Sequence, residues 1–233
     1  MSAPALQALR PRRGRVAVPL ALAGVVAAGW AGTLRLGAAM EGHAAHRAGF
    51  AALFAMWAAM AVAMMVPVEA ASLLRLARGL RETGAFLSGY LLPWLAFSLG
   101  AAGLQQSLHA AGWMDAGMAT SSRWLAAALL VAAGLAQLSP LREACLSRCR
   151  AASLTAAGTG GLSGGFRASV SSIVCCGLLM LVPFATGVMS ISWMAALTIL
   201  LVVEREVPRA ARVGVIAGVL LLVLGAWKLA AAG

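Results

Sequence analysis

The sequence predicts an all-α, polytopic helical membrane protein of about seven transmembrane helices with a cytoplasmic N-terminus. Three observations carry that reading. Of 233 residues, 62% are hydrophobic and the mean hydropathy is +0.90, whereas a soluble domain is about half apolar. Charged residues make up only 11% and fall in short groups. Between the groups lie uncharged apolar runs of roughly the 17–25 residues that a helix needs to cross a bilayer. The runs are continuous and do not alternate, and a lipid-facing backbone must be satisfied within a helix unless a barrel closes.

The elements follow in order. A basic tail, residues 1–15, ends in "RPRRGR", and a single transmembrane domain covers 16–233. The first run, 16–34, lacks a convincing cleavage site and reads as a retained span, not a signal peptide. The second, 49–68, contains "AMWAAMAVAMMVP", and the third covers 85–105. The fourth, 124–140, and the sixth, 188–204, are short; the fifth, 164–186, precedes the sixth by a tight turn near Gly187, and the seventh covers 213–231. The longest loop, 141–163, starts as a helix on the membrane surface and ends in glycines that enter the fifth span. Gly160/Gly164, Gly161/Gly165 and Gly214/Gly218 have the spacing of close helix approach.

Basic residues set the orientation. With the N-terminus inside, the inner segments hold Arg10, Arg12, Arg13, Arg15, Arg75, Arg78, Arg81, Arg142, Arg148, Arg150, Arg167, Arg205, Arg209 and Arg212. Only Arg35, Arg47, Arg123 and Lys228 fall outside. The net charge of +11 belongs to these membrane-flanking clusters. That pattern suits anionic headgroups, not nucleic acid. A bacterial inner (cytoplasmic) membrane is the expected location.

The soft side chains are the candidates for chemistry. Met56, Met60 and Met64 recur every fourth residue and form one helical stripe beside Trp57, with Met65 pointing elsewhere. Methionine fills irregular gaps between helices, but a thioether ladder also suits Cu(I). On the fifth span, Ser169, Ser172, Cys176 and Met180 share one face, with Cys175 turned away by about 100°. Cys145 and Cys149 in "CLSRC" sit at i and i+4, where two thiolates could meet one ion; the adjacent arginines favour the thiolate. All four cysteines are expected as free thiols, because the loop is cytoplasmic and neighbouring residues rarely bridge. The outer loops carry His43, His46 and His109, with Met40, Glu41, Met114, Asp115 and Met118 close by. They could capture a metal or simply be solvated. Catalysis has little support: there is no phosphate loop, no H-E-x-x-H and no histidine within a span. Glu69 and Glu204 lie at cytoplasmic helix ends, where Glu204 can pair with Arg205 or with the adjacent loop.

In order along the chain, "MWAAMAVAMMVP", "GYLLPWLAFS", "QLSPLREACLSRCR", "CCGLLM" and "GVMSISWMAALTILLVVER" resemble a bacterial family of predicted metal-binding integral membrane proteins (domain of unknown function twenty-one eighty-two). The resemblance begins near residue 50 and implies a copper-like soft-metal role. Carried over position by position, it points to Met56, Trp57, Met60, Met64, Met65, Pro67, Cys145, Cys149, Cys175, Cys176, Met180, Met189, Trp193, Met194 and Glu204. The family pattern has a histidine and a further cysteine before the Cys-Cys pair and a tryptophan after it. Here Ala168, Ser172 and Gly177 stand at those positions, which thins the ligand set. The expected function is binding, and transfer or transport, of copper(I), with a metal-donor or metal-acceptor protein as partner. The competing expectation is a structural or assembly subunit that binds no metal.

Overall fold

The computed structural model describes residues 12–40, 49–76, 79–115, 117–159, 161–188, 190–207 and 211–230. The expected ligands Glu41, His43, His46 and Met189 lie outside these residues, as does most of the basic tail. Among the described residues the chain is helical, with no strand beyond one isolated bridge between Met114 and Thr120.

The first four predicted runs are each one helix: α1 (Arg12–Ala39), α2 (Phe50–Leu76), α3 (Leu80–Ala110) and α4 (Arg123–Leu138). The long loop forms α5 (Pro140–Thr159), bent by 73° from α4. The predicted fifth span is broken. α6 (Gly161–Cys176) stops at the Cys-Cys pair, and a 3-10 turn (Leu179–Leu181) leads into the short α7 (Pro183–Thr186), bent by 70° from α6. Gly187 then makes the expected turn, at φ 101°, before α8 (Ile191–Glu206) and α9 (Ala211–Ala230). By length and composition four helices can cross a membrane, or up to six if each bent pair is one span. The expected seven spans exceed this because α8, at 16 residues, is too short for that criterion.

α2 is the central element, packed against α1, α3, α5 and α8. It runs on past Pro67, where the second span was expected to stop, for more than two further turns. Those turns carry Glu69 and Ser72, both buried, so the apolar run ended before the helix did. Small residues bring the remaining helices together. A Cβ on Gly165 would sit 1.9 Å from the Phe86 carbonyl oxygen, and one on Gly89 1.9 Å from that of Leu162. α3 and α6 therefore touch backbone to backbone. α4 and α9 meet in the same way, Gly134 against the Gly218 carbonyl. Large apolar side chains such as Leu20, Val174, Ile216, Leu220 and Trp227 remain exposed on the outside, more apolar surface than a soluble monomer normally presents.

Candidate functional site

The candidate ligands lie along α2 and at its two ends. Met56, Met60, Met64 and Met65 are each 1% exposed or less, as are Met180 and Met194. All six belong to one core cluster that also contains Trp57 and Cys176. The stripe therefore faces protein and not lipid. Met65, expected to point elsewhere, is equally enclosed because α2 is surrounded on several sides. Ser169, Ser172 and Cys176 form the buried face expected of α6. Met180 is not on that helix; it follows the bend, in the 3-10 turn, and is buried there.

At the Met56 end, Trp57 stacks on Phe184 with ring centroids 5.0 Å apart. Its indole N–H donates to Gln105 Oε1 at 2.6 Å, and Gln105 Nε2 donates to the Met118 sulfur at 2.9 Å. Met118 adopts a φ of 54°, in the left-handed region that a side chain normally avoids. The loop around it is tied down by the Asp115 carboxylate, which accepts from the Gly117 and Ala119 amides, both at 2.9 Å. Thr120 N donates to the Phe184 carbonyl at 2.8 Å. Asp115, a possible metal-capturing group in the sequence, thus holds the loop's shape. A cavity of about 200 Å³ beside Met56 is bordered by Thr33, Val188 and Ile191.

The other end of α2, about 20 Å away at 1.5 Å per residue, is charged and buried. Arg205 Nη2 lies 2.5 Å from Glu69 Oε2 and also donates to Ser153 Oγ. Arg205 Nη1 donates to Cys149 Sγ at 3.3 Å. Ser153 closes the cluster by donating to Glu69 Oε2 at 3.1 Å. A second pair sits alongside: Arg142 Nη2 lies 2.5 Å from Glu204 Oε2, and Gln137 Nε2 donates to Glu204 Oε1 at 2.8 Å. Glu204 therefore pairs with Arg142 and not with its neighbour Arg205. In a helix, residues i and i+1 point about 100° apart, so α8 sends the two side chains to different partners. An open cleft of about 180 Å³ between α4, α5 and α9 leads to the Arg142–Glu204 pair.

The cysteines depart most from expectation. Four free thiols were expected, yet Cys145 and Cys175 form a disulfide, with their Cα atoms 5.8 Å apart. Cys149 and Cys176 are free and buried. Sequence spacing pairs Cys145 with Cys149 on one helix and sets Cys175 beside Cys176. The packing of α5 on α6 brings Cys145 to Cys175 instead, within the 4.4–6.8 Å range of bridged cysteines. Arg142 Nη1 donates to the Cys175 carbonyl oxygen. Cys176 follows Cys175 at the end of α6 and is brought to the same end of the molecule. All four sulfur atoms are thus gathered at the charged end of the molecule.

Among the described residues, no group of three or more His, Cys, Asp or Glu side chains is assembled to hold a metal. The available donors are thioethers and thiols, which suit a soft monovalent ion. Sequence reasoning missed Gln105, the partner of Glu204 and the partner of Glu69; only the hydropathy of a glutamate and an arginine near helix ends hinted at the last. A family model described as a copper chaperone (PpoB2) matches residues 54–228. No curated protein and no solved structure matches the chain.

Proposed function

This chain belongs to that copper-chaperone family, and on that premise we propose that it is a multi-pass membrane protein whose cargo is Cu(I). The ion would travel along the thioethers of Met56, Met60 and Met64, with Met65, Met180, Met189 and Met194 as further sulfur donors. It would pass between them and the cysteine thiols at the charged end. Thioethers bind Cu(I) without taking on a proton or a charge, so a buried stripe of them lets the cation move through an apolar core at low cost. The exposed apolar flanks would lie in the bilayer, and the arginine-rich end would meet a metal-donor or metal-acceptor protein.

One observation carries this reading: Cys149, buried, receives an N–H from Arg205 at 3.3 Å. That contact fixes a soft sulfur donor in the core, beside a cation that holds it in place. The sequence supplies that cation from another helix. Copper per mole of purified protein tests the proposal, with and without Cys145, Cys149, Cys175 and Cys176 changed to serine. Stoichiometric Cu(I) that the variant loses supports it, and no copper under anaerobic Cu(I) loading refutes it. A second reading, a subunit that assembles with another membrane protein and binds no metal, is favoured by the lack of a three-ligand His, Cys, Asp or Glu group among the described residues. The same measurement decides between them.

A further inference from the structure

The positions of the cysteines carry an inference that deepens the copper reading and rests on it. Cys145 and Cys149 are one turn apart on α5, and Cys175 and Cys176 are the last two residues of α6. The two helices pack together, and the outer member of each pair is used up in the Cys145–Cys175 bond. The inner members, Cys149 and Cys176, are buried and unbridged. Charge also surrounds the bond. Arg142 binds the Cys175 carbonyl and Arg205 binds the Cys149 sulfur.

The location makes this bond unusual. It lies at the end bearing Arg142, Arg148, Arg150 and Arg205, which the distribution of basic residues assigns to the cytoplasm. Disulfides that form there in ordinary cells are generally transient, catalytic or redox-sensing, because the compartment keeps thiols reduced. A bond with a merely structural role would be expected on the opposite face.

We propose that the Cys145–Cys175 disulfide is a redox latch on a four-cysteine Cu(I) site, closed when oxidised and opened by a dithiol. A dithiol reductant attacks one sulfur of the bond through its thiolate, forms a mixed disulfide, and then closes on itself. The reductant leaves as its own disulfide, having given up two electrons and two protons, and Cys145 and Cys175 become thiols. Cys145 and Cys149 on α5 and Cys175 and Cys176 on α6 are then all thiols, on two helices that pack together. Cu(I) binds there with release of the thiol protons to water. Return of the disulfide, by exchange with an oxidised dithiol, removes two donors and loosens the ion. Arg205 is a positioning residue in this scheme; it holds Cys149 as the donor present in both states.

The test uses the full chain in detergent, oxidised or reduced under anaerobic conditions with the reductant removed. Acid quenching and maleimide mass labelling count the free thiols, and Cu(I) affinity is read by competition with a chromogenic chelator. The expectation is two labelled thiols in the oxidised protein and four in the reduced one. Reduced protein should hold Cu(I) at least about tenfold more tightly, a difference of about 1.4 kcal/mol. Cys145→Ser and Cys175→Ser should each give the same affinity in either condition. Equal affinity in the two states of the unmodified chain, or four free thiols throughout, would overturn the latch and leave copper binding intact. An absence of Cu(I) binding in both states would overturn the latch and the copper reading together. The comparison within the unmodified chain decides the matter even if a serine variant fails to fold.

Discussion

Arg205 and Glu69, 136 residues apart in sequence, meet at 2.5 Å with their side chains 2% and 0% exposed. Removing one member of such a buried pair leaves the other charged and unsolvated, which costs about 3–5 kcal/mol, whereas replacing both by apolar groups is often close to neutral. Arg205→Leu and Glu69→Leu should therefore each lower stability by that amount, and the double variant should recover much of the loss. Arg205→Lys should not substitute, since one guanidinium reaches Glu69, Ser153 and Cys149 together and a point ammonium cannot. Arg75–Glu206, 2.9 Å long and with Arg75 65% exposed, is the control: Arg75→Ala should cost at most about 1 kcal/mol. Denaturant titration in mixed micelles gives the comparison, and equal losses at the two sites would contradict it.

The α3–α6 contact predicts an unusually steep response to one methyl group. At Gly89 and Gly165 an added Cβ would fall 1.9 Å from a carbonyl oxygen of the facing helix, so the two backbones would have to separate. Overpacking costs about 1–3 kcal/mol and sometimes more, and here backbone, not a flexible side chain, must yield. Gly24 and Gly100 have nothing within 4 Å of the same position. Alanine there should be neutral or stabilising by up to about 1 kcal/mol through helix propensity. Melting temperatures of the four alanine variants should split into two groups; a uniform response would mean that α3 and α6 do not pack this way.

Trp57, Gln105 and Met118 form a chain of hydrogen bonds across α2, α3 and the loop before α4. Gln105→Leu leaves a buried indole N–H without an acceptor, and Trp57→Phe leaves the Gln105 carbonyl oxygen without its donor, each at about 1–3 kcal/mol. Because both changes break the same bond, the double variant should be less destabilised than the sum, with a coupling of about 0.5–3 kcal/mol. Strict additivity in that cycle would remove the bond from the account.

Much of this architecture was legible in the sequence, and the failures have physical causes. Apolar runs located α1, α3, α4, α8 and α9 to within a few residues, because burial in lipid or in a core makes the same compositional demand, but they gave no sign of the break after Cys176. They overran the span count because α8 is apolar yet only 16 residues long. They stopped α2 too early because its buried end carries Glu69, whose charge is matched by Arg205 from α8. The stripe Met56, Met60 and Met64 was visible from its period, but period alone does not say whether a face meets lipid or protein. The packing of α1, α3, α5 and α8 around α2 decides that. Cys145 was paired with Cys149 by the logic of neighbours; its partner Cys175 is 30 residues away and comes close only through the packing of α5 on α6. Long-range pairings of that kind leave no local signal.

The last prediction separates methionine as packing from methionine as ligand. Leucine and methionine have similar volumes, and such swaps in a core usually cost less than about 1.5 kcal/mol. The combined Met56→Leu, Met60→Leu and Met64→Leu variant keeps the apolar stripe and removes its sulfur. All three side chains are buried at 1% exposure or less, so the substitution tests the interior and not a lipid-facing surface. If the stripe is filler, copper content and melting temperature should both stay near those of the parent. If it carries Cu(I), the variant should fold with a modest loss of stability. Copper delivered to a chelator or acceptor protein should fall at least about tenfold in rate, since each 1.36 kcal/mol added to a barrier is tenfold. Cys149→Ser should then reduce copper held at equilibrium while leaving the methionine stripe untouched. The two defects should differ in kind, one in passage along α2 and one in retention at the charged end. Reconstituted vesicles with a Cu(I) probe on one side and a chelator on the other would read both, and identical behaviour of the two variants would argue that the methionines and cysteines do not form successive stations for the ion.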